Sequence, residues 1–480
     1  MARAHVLLAA SLGCCLYAYV AYPAILKLLG LLRRPYRRPD PPASWPQISV
    51  TIPVHNEAGV IAETLERTLE LDYPADRRQV LIVSDASTDG TDEIVARFAA
   101  RGVELVRLAR RVGKTAAENA ARSRLRGAII VNTDASVRIH PRALKRLVTA
   151  LADPTVGVAS GRDVSVARLD AQAELGESTY VDYEMWVRDL ETRLSGIVGA
   201  SGCLYAIRAE LQRELIPENL SRDFAAALIA RRHGLRAVSV PDAICFVTPG
   251  ASLRQEYRRK VRTMARGLRT LWAMRALLSP RRYGLFAWML FSHKLCRWLV
   301  PWALVGALGA LASLAAGTPW LLPGLAVGVA LAGIGCLWPE GEQMPRLFAL
   351  PAYLVAGSAA ALHAWLRALR GGRTAVWEPT RRGRAAGSGG HAAIDPAAER
   401  DVRVPAHRFR RLLAVPEAPL PEPGEEPAGR ERPGRSRRGS SPQRVATDHE
   451  AAVDGPAPGG GLGGEQRRDS GSGGRRRHPG

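Results

Sequence analysis

Two aspartates stand where an aliphatic run stops. Ala128-Ile129-Ile130-Val131-Asn132-Thr133 runs into Asp134, and Gln79-Val80-Leu81-Ile82-Val83-Ser84 runs into Asp85. Such runs have no helical period and suit strands covered on both faces, and a carboxylate at the end of one sits where open α/β sheets bind ligands. Asp134 is thus a candidate contact for a metal or a phosphate. The alternative is an acid that closes its own turn on a backbone N–H. Arg110-Arg111-Val112-Gly113-Lys114-Thr115 looks like the end of a phosphate-binding P-loop. That motif needs a glycine five positions before Gly113, where this chain has Leu108, so a P-loop nucleoside triphosphatase is rejected.

The elements that must position these groups alternate between strand and helix. Ile48 to Pro53 reads as a first strand, and Asn56-Glu57 opens a helix with Ile61, Leu65, Thr68 and Leu69 at helical spacing. The helix start offers free backbone N–H groups near the ligand rim. Val103 to Leu108, Val156 to Ala159, Gly199 to Ile207 and Ala237 to Val240 read as further strands. Helices are expected after Thr91-Asp92, from Pro141, and over Arg222 to His233. The amphipathic run from Gln172 to Ser195, with Tyr180, Tyr183, Glu184, Trp186 and Glu191, is placed under the acceptor side, its aromatics serving either as core or as a substrate platform.

The ordered set Pro53-Val54-His55-Asn56-Glu57, Asp85 to Thr91, Gly113-Lys114, Thr133-Asp134-Ala135-Ser136, Ser201 to Arg208 and Ser221-Arg222-Asp223-Phe224 resembles the inverting family 2 glycosyltransferases. It covers about residues 48–270. The resemblance implies a GT-A fold: an α/β domain with a Rossmann-like mixed sheet that binds a nucleoside-diphosphate sugar, most simply a UDP-sugar. It implies that Asp85 contacts base and ribose, with Pro53, Asn56 and Glu57 in the same pocket and Lys114 near the uracil or diphosphate. Asp134 would hold a divalent cation, Mg2+ or Mn2+, against the diphosphate. Asp223 would be the general base, with capping of its helix as the alternative role, and Gly202 and Trp186 would line the acceptor side.

Three positions depart from the family pattern. Ser136 replaces the second acid of the metal motif, leaving one certain carboxylate. Arg222 replaces the acid before Asp223, where a neighbouring guanidinium is expected to keep the base ionised. In Gln255-Glu256-Tyr257-Arg258-Arg259 the glutamine and first arginine of the polysaccharide-synthase motif are kept, but Arg259 stands in place of the tryptophan, which argues against long-chain processivity. Gln255, Arg258 and Arg262 remain candidates for phosphate oxygens.

The chain of 480 residues carries a net charge of +22. Its arginines cluster beside apolar spans and in the tail, as attraction to anionic lipid headgroups requires. No RNA platform, zinc finger or helix-turn-helix accompanies them, so nucleic acid is not expected as a partner. Six scattered cysteines with no C-x-x-C pair give no zinc site and no disulfide framework.

Residues 1–32 read as an uncleaved membrane anchor, too long for a signal peptide. Residues 33–47 form a basic, proline-rich linker, 48–250 the catalytic domain, 251–297 basic amphipathic and interface helices, 298–370 further membrane helices, and 371–480 a disordered Arg/Gly/Pro-rich tail. Arginines just after the anchor place the domain on the cytoplasmic side of a multi-pass plasma-membrane protein. Apolar segments near 298–316, 319–338 and 347–369 would then put the tail outside, yet Arg367, Arg370, Arg373, Arg381 and Arg382 argue for inside. Together these features read as a membrane-bound, nucleotide-sugar-dependent transferase with a lipid or glycan acceptor. A relative that has lost catalysis and serves as a membrane scaffold is the alternative, and a salt-sensitive anionic-lipid or nucleic-acid binder is a third. The sugar, the acceptor and the oligomeric state are left open by these motifs.

Overall fold

The computed structural model describes residues 1–33, 36–165, 175–247, 253–339 and 344–370. The expected disordered tail lies outside them. At the centre is an eight-stranded sheet, β1 (Ile48–Val54), β2 (Arg78–Ser84), β3 (Val103–Arg107), β4 (Ile129–Thr133), β5 (Val137–Ile139), β6 (Val156–Ser165), β7 (Leu204–Arg208) and β8 (Arg236–Val247), in the order β3-β2-β1-β4-β7-β6-β8-β5. The first four in that order are mutually parallel, β7 runs antiparallel between β4 and β6, and β8 lies parallel to β6 and antiparallel to β5.

The aliphatic runs form the central strands because both their faces are covered. Every residue of β1 and of β4 is buried. Register then does the positioning: Val54 pairs with Ser84 and Thr51 with Asn132, so the carboxyl ends of β1, β2 and β4 share one rim. Asp85 follows β2 there, and its N–H donates to the Val54 carbonyl at 2.8 Å.

Expected boundaries shift, with β6 running on past Ala159 to Ser165. Residues 199–203 form a turn and β7 starts only at Leu204, while β8 extends well past Val240, to Val247. The short β5, unforeseen in the sequence, is fixed by its pairing with β8, a long-range partnership that local pattern does not encode. Residues 36–46 are tied down: Arg38 donates to Asp242 at 2.5 Å and Tyr73 to the Pro46 carbonyl at 2.5 Å.

Helical runs Ala2–Leu31, Leu285–Ala315 and Leu347–Leu369 are long and apolar enough to cross a membrane, and Leu322–Cys336 is apolar but shorter. The segment expected at the interface up to residue 297 belongs to a longer helical run. The helical run continues through Phe291–Cys296, a π-turn, into Arg297–Ala315, and its polar groups face protein. His293 bonds Glu191 at 2.5 Å and Glu184 at 3.0 Å, and Arg297 donates to Glu184 at 2.6 Å. Both acids lie on the helix Leu175–Leu194, and Glu191 also accepts from the hydroxyl of Tyr22 on the first apolar helix at 2.5 Å. Charges matched in this way need no lipid headgroups, since a buried ion is tolerable when paired and hydrogen-bonded. Burial opposes ionisation of Glu184, but His293, Lys294 and Arg297 outweigh it and hold the carboxyl well below its usual range.

Gly127 tests how tightly the sheet is closed at its amino-terminal edge. A Cβ there would lie 2.4 Å from the Ser49 nitrogen and 2.5 Å from the Ile48 carbonyl carbon, backbone atoms that cannot step aside. Gly127→Ala is expected to destabilise the purified protein by about 1–3 kcal/mol or more. Gly59→Ala, which meets nothing within 4 Å, serves as the control in the same thermal melt. Equal melting temperatures for the two variants would contradict the packing described.

Candidate functional site

The rim is assembled by strand-end turns that fasten one another. Asn56, after β1, adopts a φ of 56° and Ala86, after β2, a φ of 54°, a left-handed conformation uncommon for residues with a side chain. Asn56 Oδ1 accepts the Thr88 N–H at 2.8 Å, and the Asn56 N–H donates to Ser87 Oγ at 3.2 Å. The Glu57 and Ala58 N–H groups donate to Thr91 Oγ1 at 2.9 Å and Asp89 Oδ2 at 3.0 Å. Burial works against the charge of Asp89, but Thr91 and Ala58 as donors prevail and lower its pKa. Asn56 and Glu57 therefore stand at the rim, the first of them bracing the Asp85–Thr91 turn. Pro53 is buried in β1 opposite Val83.

Asp85 has a more specific task than the sequence indicates. Its two carboxylate oxygens accept the N–H groups of Val112 at 2.7 Å and Gly113 at 2.8 Å. Gly113, at φ 95° and ψ 160°, occupies backbone space open essentially to glycine alone and starts the helix Lys114–Ala121. The aspartate thus fixes the loop that delivers Lys114.

Lys114 is where the predicted residues meet. Its ammonium is ion-paired with Asp134 Oδ1 and lies 3.5 Å from the Gly202 carbonyl. Gly202 in turn abuts Asp223: a Cβ on that glycine would lie 3.1 Å from Asp223 Oδ2. Burial alone would lower the lysine pKa, yet Asp134, Glu118 and Asp223 reverse this and raise it above the ordinary value. The strand-end Asp134, the turn at Gly202 and the helix-start Asp223 therefore share one cleft around a cation. Ser221 donates to Asp223 Oδ1, so the carboxylate is oriented from its own helix cap.

Arg222 corrects one expectation. Its guanidinium turns inward to Glu118, with Nε 3.0 Å from Oε2, and to Asn119, instead of lying against the Asp223 carboxylate. Trp186, partly buried, packs against the apolar seam around Tyr22 and Leu26, next to Tyr183. Gln255, Arg258 and Arg262 lie on the helix Leu253–Ala273, where Arg258 is exposed. Arg266, on the same helix, also reaches the site. It donates to Thr115 Oγ1 at 2.7 Å and to the carbonyls of Leu220 at 2.7 Å and Glu218 at 2.8 Å. Its helical spacing eight residues beyond Arg258 was the available signal.

Among the described residues no group of three or more His, Cys, Asp or Glu can enclose a metal ion. Asp134 alone suits a cation of the Mg2+ type, which commonly takes one or two carboxylates plus substrate phosphates and water. The arrangement can therefore hold a phosphorylated ligand beside Lys114 and accept a proton at Asp223.

Residues 49–191 match the family model Glycosyl transferase family 2, and residues 129–333 match Glycosyl transferase family group 2. An N-acetylglucosaminyltransferase of Mesorhizobium japonicum is 28% identical over 250 residues, 46% of this chain and 57% of that protein. A beta-monoglucosyldiacylglycerol synthase of Synechocystis is 32% identical over 117 residues, 24% of each chain. The chain thus spans at most 57% of the length of these two curated relatives. A solved mannosyltransferase, PcManGT from Pyrobaculum calidifontis in complex with GDP-Man and Mn2+, superposes with a TM-score of 0.61 at 28% identity, over 77% of this chain and 98% of that one.

Asp85→Ala removes both acceptors of the Val112 and Gly113 amides. Hydrogen exchange at those amides is expected to accelerate, and affinity for nucleoside diphosphates to fall at least about tenfold, the equivalent of about 1.4 kcal/mol. Unchanged exchange and affinity would refute the anchoring role.

Proposed function

The chain belongs to glycosyl transferase family 2, and from that premise we propose that it transfers a sugar from a nucleoside-diphosphate donor to a lipid or saccharide acceptor at the membrane face, with inversion at the anomeric carbon. The observation that carries this reading is the convergence of Asp134, Gly202 and Asp223 on the Lys114 ammonium.

In such a transfer the bond between anomeric carbon and diphosphate breaks as the acceptor oxygen attacks from the opposite side, and the acceptor proton must leave. Lys114 offers positive charge to the diphosphate, strongest where water is excluded. Asp223 takes the hydroxyl proton, held for that purpose by Ser221. Asp134 would hold a divalent cation, Mn2+ or Mg2+, which when bound would supply further charge neutralisation at the leaving group. Asp85, with its loop fixed, retains lone pairs for a ring N–H or ribose hydroxyl of the nucleotide. Gln255, Arg258 and Arg262, on the helix Leu253–Ala273, are the further groups proposed for phosphate oxygens.

We infer the membrane arrangement from the number of long apolar helices. With Leu322–Cys336 too short to span about 30 Å of hydrocarbon, two crossings, Leu285–Ala315 and Leu347–Leu369, follow the catalytic domain. In this reading Arg367 and the arginines after it fall on the same side as the domain, the cytoplasmic side, as the positive-inside rule favours.

Protein purified in detergent with Mn2+ or Mg2+ and labelled UDP- and GDP-sugars tests the proposal. Asp223→Asn is expected to lower kcat by about 10²–10⁴ while donor affinity holds. Asp134→Asn is expected to raise the metal concentration needed for half-maximal rate. Donor binding with no turnover by the wild-type chain would favour the scaffold reading instead, and turnover indifferent to both substitutions would overturn the assigned roles.

A further inference from the structure

Behind the cleft lies an enclosed charge pair to which the transfer reading gives no part. Arg222 and Glu118 are 4% and 3% exposed, with Nε and Oε2 3.0 Å apart. Arg222 Nη2 also bonds Asn119 Oδ1, and Asn119 Nδ2 donates to the Ile216 carbonyl at 2.7 Å. The contacts join two helices, Lys114–Ala121 and Arg222–Arg232. On the first, Glu118 is one turn beyond Lys114 and on the same face. On the second, Arg222 immediately precedes Asp223.

As a source of stability the pair is poor. Removing two charges from water is repaid only by very good geometry with the remaining polar atoms satisfied. Here Glu118 Oε2 and Arg222 Nε approach without an aligned hydrogen bond, and the buried Tyr205 hydroxyl also has no hydrogen-bond partner. The same groups sense the cleft. Burial raises the Glu118 pKa, Lys114 and Arg222 oppose the rise, and Asp134 and Asp223 reinforce it. Tyr205 is pushed up by burial and then by Glu118, against Arg222.

We propose that Glu118 and Arg222 are a positioning pair that sets the separation between Lys114 and Asp223, holding the proton acceptor in register with the cation that faces the leaving group. The proposal rests on the transferase reading. It also gives a part to the arginine that departs from the family pattern: the position is basic because its partner, four residues after Lys114, is acidic.

The test is the double variant Glu118→Met with Arg222→Leu in the full chain, assayed with Mn2+ and the donors above. Apolar replacement of both members of a buried pair is often neutral or stabilising, so the melting temperature is expected to hold. Turnover is not: kcat should fall about 100-fold, as for misplacement by about 1 Å, with donor KM little changed and the acid limb of the kcat–pH profile displaced. A folded double variant with kcat within about twofold of wild type, little against the 100-fold loss expected from misplacement, overturns the proposal. Should the double variant not fold, Arg222→Lys decides. It keeps the charge but not the guanidinium fork, so a reduced kcat at unchanged KM supports positioning and an unchanged kcat refutes it. No wild-type turnover with any donor would instead sink the transferase reading, and the pair's purpose with it.

Discussion

A lysine ammonium drawn in among carboxylates is the constraint on which the cleft depends. Lys114 pairs with Asp134 and has Glu118 and Asp223 close enough to raise its pKa against the pull of burial. Three acids around one site repel one another, and Lys114 between them, with Arg222 on Glu118, makes them mutually supporting. The loop that brings Lys114 in is held by Asp85, and the glycine that starts its helix has a backbone conformation few other residues adopt. Sheet register, turn geometry and charge therefore converge on one group. A phosphorylated ligand entering the cleft would meet that ammonium already oriented, which is what preorganised electrostatic stabilisation requires.

The helices toward the membrane are bound to this centre by polar contacts. Arg266 ties the helix Leu253–Ala273 to Thr115 and to the carbonyl just before Ser221, and Thr270 accepts the Ser221 N–H at 2.9 Å. That helix is tied onward through Arg269, which donates to the Arg367 carbonyl at 3.0 Å. On another side, Glu184 and Glu191 join His293 and Arg297 to Tyr22, so two long apolar helices grip one helix of the α/β domain. Breaking one member of such a network leaves a buried charge unpaired, which costs several kcal/mol, so the domain and its apolar helices are coupled.

Much of this was legible in the chain. The aliphatic runs announced β1, β2 and β4, the acids at their ends marked the rim, and Asp223 stood at a helix start. These are local signals carried by consecutive residues. What the sequence withheld depends on partners distant in the chain: the pairing of β5 with β8, the ion pair between Lys114 and Asp134, and the use of both Asp85 oxygens by Val112 and Gly113. Arg222 was misjudged for the same reason, because adjacency to Asp223 suggested an interaction while the helix turned the two side chains to different neighbours. The segment holding His293 was assigned to the membrane interface because its partners, Glu184 and Glu191 on another helix, are distant in the chain.

The most direct measurement is a structure of the protein in detergent with Mn2+ and a non-hydrolysable donor analogue. The account predicts the diphosphate beside Lys114 and Asp134, with the anomeric carbon facing the Asp223 carboxylate on the side away from the leaving group. A diphosphate bound elsewhere, or an anomeric carbon that Asp223 cannot approach from that side, would contradict it.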